Sequence, residues 1–112
     1  MVMTRILVIE DEVNIRENII EILTLEKFDV IDAPNGAVGV EMARQHQPDL
    51  IVSDIMMPEL DGYGVLHMLG KDERTASIPF IFLTAKAEKD DRRNTRNNRF
   101  FISGNVYRCG FV

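Results

Sequence analysis

The chain has 112 residues, 46% of them hydrophobic and 28% charged, which is enough for one small domain with its own core and too little for two. No apolar run approaches the ~20 residues that span a bilayer, the single Cys109 excludes an internal disulfide, and no Cys/His cluster has zinc spacing. The net charge of −5 is uneven: all 18 acids lie in residues 1–91 against 8 Lys and Arg, a balance of −10, while residues 92–112 hold 5 Arg and no acid, so the acidic body argues against a general nucleic-acid surface.

Arg5 to Ile9 reads as a first strand, with Ile6, Leu7, Val8 and Ile9 apolar in a row. Glu10-Asp11-Glu12 cuts that run off at once. It is too short for a signal-peptide core, and a cytoplasmic protein is expected. A helix is predicted over about 13–25. Ile15, Ile19, Ile22 and Leu23 share one face of a 3.6-residue period, with Arg16, Glu17, Glu21 and Glu26 on the wet side. Phe28 to Ala33 reads as a short, partly alternating strand. Pro34-Asn35-Gly36 is a loop with Asn35 as candidate N-cap. A second helix runs to about His46, with Ala37, Val40, Met42 and Ala43 inward and Gly36 and Gly39 working against it.

Pro48 breaks that helix. Leu50 to Ser53 follows as a strand buried on both faces, since apolar and polar residues do not alternate. It delivers Asp54 at its C-terminal end. Pro58 stops the strand from continuing, and Asp61-Gly62 supplies a turn. A short third helix covers about 62–70, with Val65, Leu66 and Leu69 inward. After a polar linker over 71–77, Ile78 to Leu83 is another apolar strand, closed by Thr84-Ala85. This β-α-β-α-β-α-β order predicts a parallel, doubly wound α/β sheet with helices on both faces.

Three strand ends carry polar groups: Glu10 and Asp11, then Asp54, then Thr84. In a parallel sheet these ends share one edge, where ligands of open α/β sheets bind. Each has a plainer reading alone: Glu10-Asp11-Glu12 as the acidic first turn of a helix, Asp54 as a turn cap, Thr84 as an N-cap. Together, three carboxylates in one cleft repel one another unless a cation sits among them. Few hard oxygen ligands, with room left for water and phosphate, suit Mg²⁺. A carboxylate there can attack a phosphoryl group and form an aspartyl phosphate. His46 and His67 read as surface residues, and Met56-Met57 as packing.

At this point the resemblance is plain. Residues 1–91 resemble the receiver domain of two-component response regulators, similar in fold to the single-domain chemotaxis regulators. The stretches that carry it are Ile6 to Glu12, Pro48 to Gly62 and Pro79 to Lys86, the middle one highly specific. The resemblance implies a flavodoxin-like five-stranded fold, with Asp54 as phospho-acceptor and Thr84 as the switch hydroxyl. Mg²⁺ would be held by Glu10, Asp11, Asp54 and the Met56 carbonyl. It also implies a sensor histidine kinase or phosphotransfer protein as phosphate donor, with no chemistry beyond self-phosphorylation and self-dephosphorylation at Asp54. An aspartyl-nucleophile phosphatase is disfavoured, because the acid/base carboxylate such enzymes carry two residues on is here Met56. No direct nucleic-acid or membrane partner is expected.

After about Asp91 the resemblance stops. Residues 92–112 form a divergent basic tail in which the family's fifth strand and last helix are missing or replaced. Phe100-Phe101-Ile102 could supply a short substitute strand at 100–102. The family lysine would fall near Val106, and no Lys follows Lys89. Without the fifth strand, the fourth keeps an open edge through which a homodimer could pair. The second functional reading is therefore a pseudo-receiver or truncated fragment that binds partners without a working phosphorylation switch.

Overall fold

The structure is a computed structural model. It describes residues 3–84 and 101–109, with backbone alone at 84 and 101–106. Strand β1 is Arg5–Ile9, helix α1 Val13–Leu25, strand β2 Asp29–Ala33, helix α2 Gly36–His46 and strand β3 Leu50–Asp54. Helix α3 is Gly62–Gly70, strand β4 Pro79–Thr84 and strand β5 Phe101–Arg108. The sheet order is β2-β1-β3-β4-β5. The first four strands are mutually parallel, in a register that sets Ile9 beside Ser53 and Asp54 beside Leu83.

The continuous apolar runs have a direct cause: β1 is buried on both faces. Leu7 and Ile9 pack with Val40, Ala43, Val65, Leu66, Leu69, Phe80 and Phe82, beneath α2 and α3. Ile6 and Val8 point the other way and pack with Ile19, Val52 and Leu83, beneath α1. Asn35 caps α2, its Oδ1 accepting from the Val38 amide at 2.8 Å. Gly39 lies against β1, where an added Cβ would stand 2.5 Å from Ile9 Cδ1. The glycine that weakens the helix locally is thus what lets it approach the sheet.

Several expectations are corrected. Strand β2 begins at Asp29 and β4 at Pro79, each one residue late, and β4 includes Thr84. Ala37 is exposed, and Gly36 and Gly39 take the inner positions of α2. Ile22 is 50% exposed at the margin of the α1 stripe, so Ile19 is the only fully inward residue of that helix. Met57 is core, but Met56 is 79% exposed.

The largest correction concerns the tail. β5 spans Phe101–Arg108 and pairs antiparallel with β4, Thr84 opposite Phe101 and Pro79 opposite Arg108, with a register shift between Ile81 and Leu83. The β4 edge is therefore covered by this chain's own backbone and is not open to a second copy. Tyr107 packs on Phe82 with centroids 5.4 Å apart, and Cys109 is buried in the α2/α3 core, its amide donating to the Ile78 carbonyl at 3.3 Å. Val106 lies opposite Ile81 in mid-strand. Phe100, Lys86 and the other residues between 85 and 100 lie outside the described residues, as do 110–112.

Candidate acidic site

β1 and β3 end side by side, so Glu10 and Asp54 emerge at the same sheet edge. Glu10, Asp11 and Asp54 each offer a carboxylate oxygen, and these atoms lie within 4.8 Å of one another. Among the described residues this is the one such acidic group. Glu10 is 1% exposed, Asp54 half-buried and Asp11 exposed, which makes a cleft open on one side. The Glu10 amide is anchored to the Ala33 carbonyl of β2 at 3.2 Å. One Glu10 oxygen, Oε2, accepts from the Glu12 amide at 3.0 Å. The other, Oε1, is buried without a hydrogen-bond partner.

The charges are out of balance. Burial is the main cause that pushes Glu10 up from its ordinary 4.5 to about 8, with repulsion from Asp54 and Asp11 adding to it and the Glu12 amide opposing. Burial also raises Asp54, and Asp11 repels it, while the Met56 and Ile55 amides favour its ionised form. A buried carboxylate oxygen with no partner, beside two more carboxylates, fits a cation bound by hard oxygen donors. The donor set contains no soft or nitrogen ligand, which matches Mg²⁺ better than zinc or copper.

The loop after β3 is held closely. The Gly62 amide donates to the Ile55 carbonyl at 2.9 Å and the Leu60 amide to the Pro58 carbonyl at 2.8 Å. Glu59 takes a left-handed φ of 69°. Asp61 caps α3, accepting from the Gly64 amide at 2.8 Å. A Cβ on Gly62 would run into the Asp54 carbonyl oxygen, so only glycine lets α3 start this close to the strand end.

The structure thus brings Glu10, Asp11 and Asp54 together. Met56 follows Asp54 on the same loop, its amide on the Asp54 carboxylate and its side chain in solvent. Thr84 ends β4 one residue past Leu83, the register partner of Asp54. Its side chain lies outside the described atoms. Sequence reasoning missed Arg16, placed on the wet side of α1. Its side chain is 14% exposed and its Nη1 donates to the Glu10 carbonyl at 2.8 Å. The available signal was its place in the first turn of α1, which the Glu10-Asp11-Glu12 loop brings back over the strand end.

Comparison with known proteins places this geometry. Residues 6–99 match the model of the response regulator receiver domain. The chain is 42% identical over 90 residues to the DNA-binding dual master transcriptional regulator RpaA of a Synechocystis strain, an alignment covering 80% of this chain and 37% of RpaA. It is 37% identical over 90 residues to the protein PilH of Pseudomonas aeruginosa, covering 80% of this chain and 74% of that one. The chain therefore spans little more than a third of RpaA, but most of PilH. Among solved structures it is similar to the receiver domain of a sensor histidine kinase from Pseudomonas aeruginosa PAO1, which has a magnesium ion coordinated in the active site cleft. The TM-score is 0.72 and the identity 30%, over 83% of this chain and 76% of that one. With the β2-β1-β3-β4 parallel core and the acidic strand ends, these matches show that the chain belongs to the response regulator receiver domain family of two-component signalling.

Proposed function

We propose that this domain is a phospho-acceptor that takes a phosphoryl group on Asp54 from the phospho-histidine of a sensor kinase or phosphotransfer protein. An Asp54 carboxylate oxygen attacks phosphorus, the phosphorus–nitrogen bond of the donor breaks, and the departing electron pair returns to the imidazole. Glu10, Asp11, Asp54 and the Met56 carbonyl would hold Mg²⁺, which when bound offsets the negative charge gathered at the phosphoryl group. The Ile55 and Met56 amides favour the ionised Asp54 needed for attack. Thr84, at the end of the neighbouring strand, is the hydroxyl that would donate to a phosphoryl oxygen. The domain would act in the cytoplasm, which its membership of the receiver family supports.

The observation that carries this reading is the convergence of three carboxylates whose oxygens lie within 4.8 Å of one another, one of them on the buried Glu10. One observation favours a pseudo-receiver instead. No Lys follows Lys89, and Val106 sits in mid-strand opposite Ile81, so no ammonium from β5 balances a phosphoryl group. The test is incubation of the purified chain with acetyl phosphate and Mg²⁺, followed by intact mass. Phosphorylation of the unaltered chain and none of Asp54→Asn supports the first reading. An unmodified chain with intact Mg²⁺ binding supports the second.

A further inference from the structure

We infer that Arg16 is the positioning residue of the acidic site: its guanidinium fixes the main chain from which Glu10 and Asp11 present their oxygens. The inference rests on the cation site proposed above. Arg16 Nη1 donates to the Glu10 carbonyl at 2.8 Å, and Arg16 Nε donates to Asp32 Oδ2 on β2 at 3.0 Å. Glu10 is thus held through its amide by Ala33 of β2 and through its carbonyl by α1.

These contacts close a ring. The Glu12 amide donates to Glu10 Oε2, the Arg16 amide donates to the Glu12 carbonyl at 2.9 Å, and Arg16 Nη1 returns to the Glu10 carbonyl. Asp11 lies inside the ring, so its backbone has little room to rotate. Arginine suits the place because two donors of one rigid plane reach acceptors on two different elements, whereas a lysine ammonium is a single point on a flexible stem. Asp32 is 44% exposed. An ion pair that open to water adds little stability by itself, so Asp32 serves to aim the guanidinium. Groups that orient metal ligands from behind typically set metal affinity by about 10–100-fold.

The experiment compares Arg16→Ala, Arg16→Lys and Ile19→Val with the unaltered chain. Ile19→Val loosens the packing of α1 without touching Glu10. Mg²⁺ affinity is measured by calorimetry, and amide hydrogen exchange at residues 10–12 is measured without metal. Arg16→Ala should weaken Mg²⁺ binding about tenfold or more and speed exchange at 10–12. Arg16→Lys should recover part of both, and Ile19→Val neither change. Equal Mg²⁺ affinity in Arg16→Ala and the unaltered chain overturns the inference while leaving the site standing. An equal loss in Ile19→Val reduces Arg16 to general support and overturns it as well. No Mg²⁺ binding by the unaltered chain removes the site and the inference with it.

Discussion

Glu10→Gln should stabilise the metal-free chain at neutral and alkaline pH. Glu10 is an acid whose pKa rises on folding, from 4.5 to about 8. Between those values the folded chain keeps a proton that the unfolded chain has released, so stability is greatest below pH 4.5 and falls until about pH 8. At about 1.4 kcal/mol per unit the full loss is on the order of 5 kcal/mol, and by pH 7 about 3 kcal/mol has gone. Glutamine keeps an oxygen for the Glu12 amide and removes the titration. The assay is urea unfolding from pH 5 to 9 in excess chelator, for both proteins. The gap between them should be small at pH 5, widen through pH 7, and level off above pH 8. Parallel stability curves across that window would refute the assignment of the burden to Glu10. Saturating Mg²⁺ should close most of the gap, because the cation selects the ionised carboxylate, and its binding at pH 7 should release about one proton. Calorimetry in two buffers of different protonation heat reads that proton directly.

Three further outcomes follow from the loop after β3. Gly62→Ala should destabilise the fold by about 1–3 kcal/mol and weaken Mg²⁺ binding, because the new methyl meets the Asp54 carbonyl; denaturation and metal titration check both. Asp61→Ala should cost about 1 kcal/mol through loss of the α3 cap and leave Mg²⁺ affinity near that of the unaltered chain. Met56→Asn should shorten the life of a phosphorylated Asp54. The exposed thioether at Met56 is only a weak hydrogen-bond acceptor, and an amide there can hold a water; an unchanged decay of the phosphorylated mass would count against this.

The parts legible in the sequence are those where one physical rule dominates. Ile6 to Ile9 and Leu50 to Ser53 read as doubly buried strands because both faces of a parallel sheet must be apolar. Once those strands were parallel, Glu10, Asp11 and Asp54 had to share an edge. Where two rules compete, the reading failed. Hydropathy puts a charged Arg16 in solvent, but a strand-end carbonyl that needs a donor draws it inward. Helix propensity disfavours Gly39, yet close packing on Ile9 requires it. Periodicity puts Ala37 and Ile22 inward, but both are exposed, because it gives the direction of a stripe and not the position of its margin.

The direction of β5 was the least legible feature, because the same residues can pair either way and only tertiary contacts decide. Its consequence for signalling is geometric. An antiparallel β5 runs away from the acidic edge, so its last residue, Arg108, lies opposite Pro79 and donates to the Ser77 carbonyl at 3.1 Å. Pro79 and Thr84 are five residues apart, about 17 Å along a strand, which places Arg108 at the far end of β4 from Asp54. Arg108 therefore would not stand in for a lysine beside a phosphoryl group placed on Asp54. What β5 does bring near the site is the backbone of Phe101 and Ile102, opposite Thr84 and Leu83. Among the described residues, the route from Asp54 to the β5 side runs through Thr84 and that strand pairing. Charge neutralisation by a strand-borne cation is not part of it.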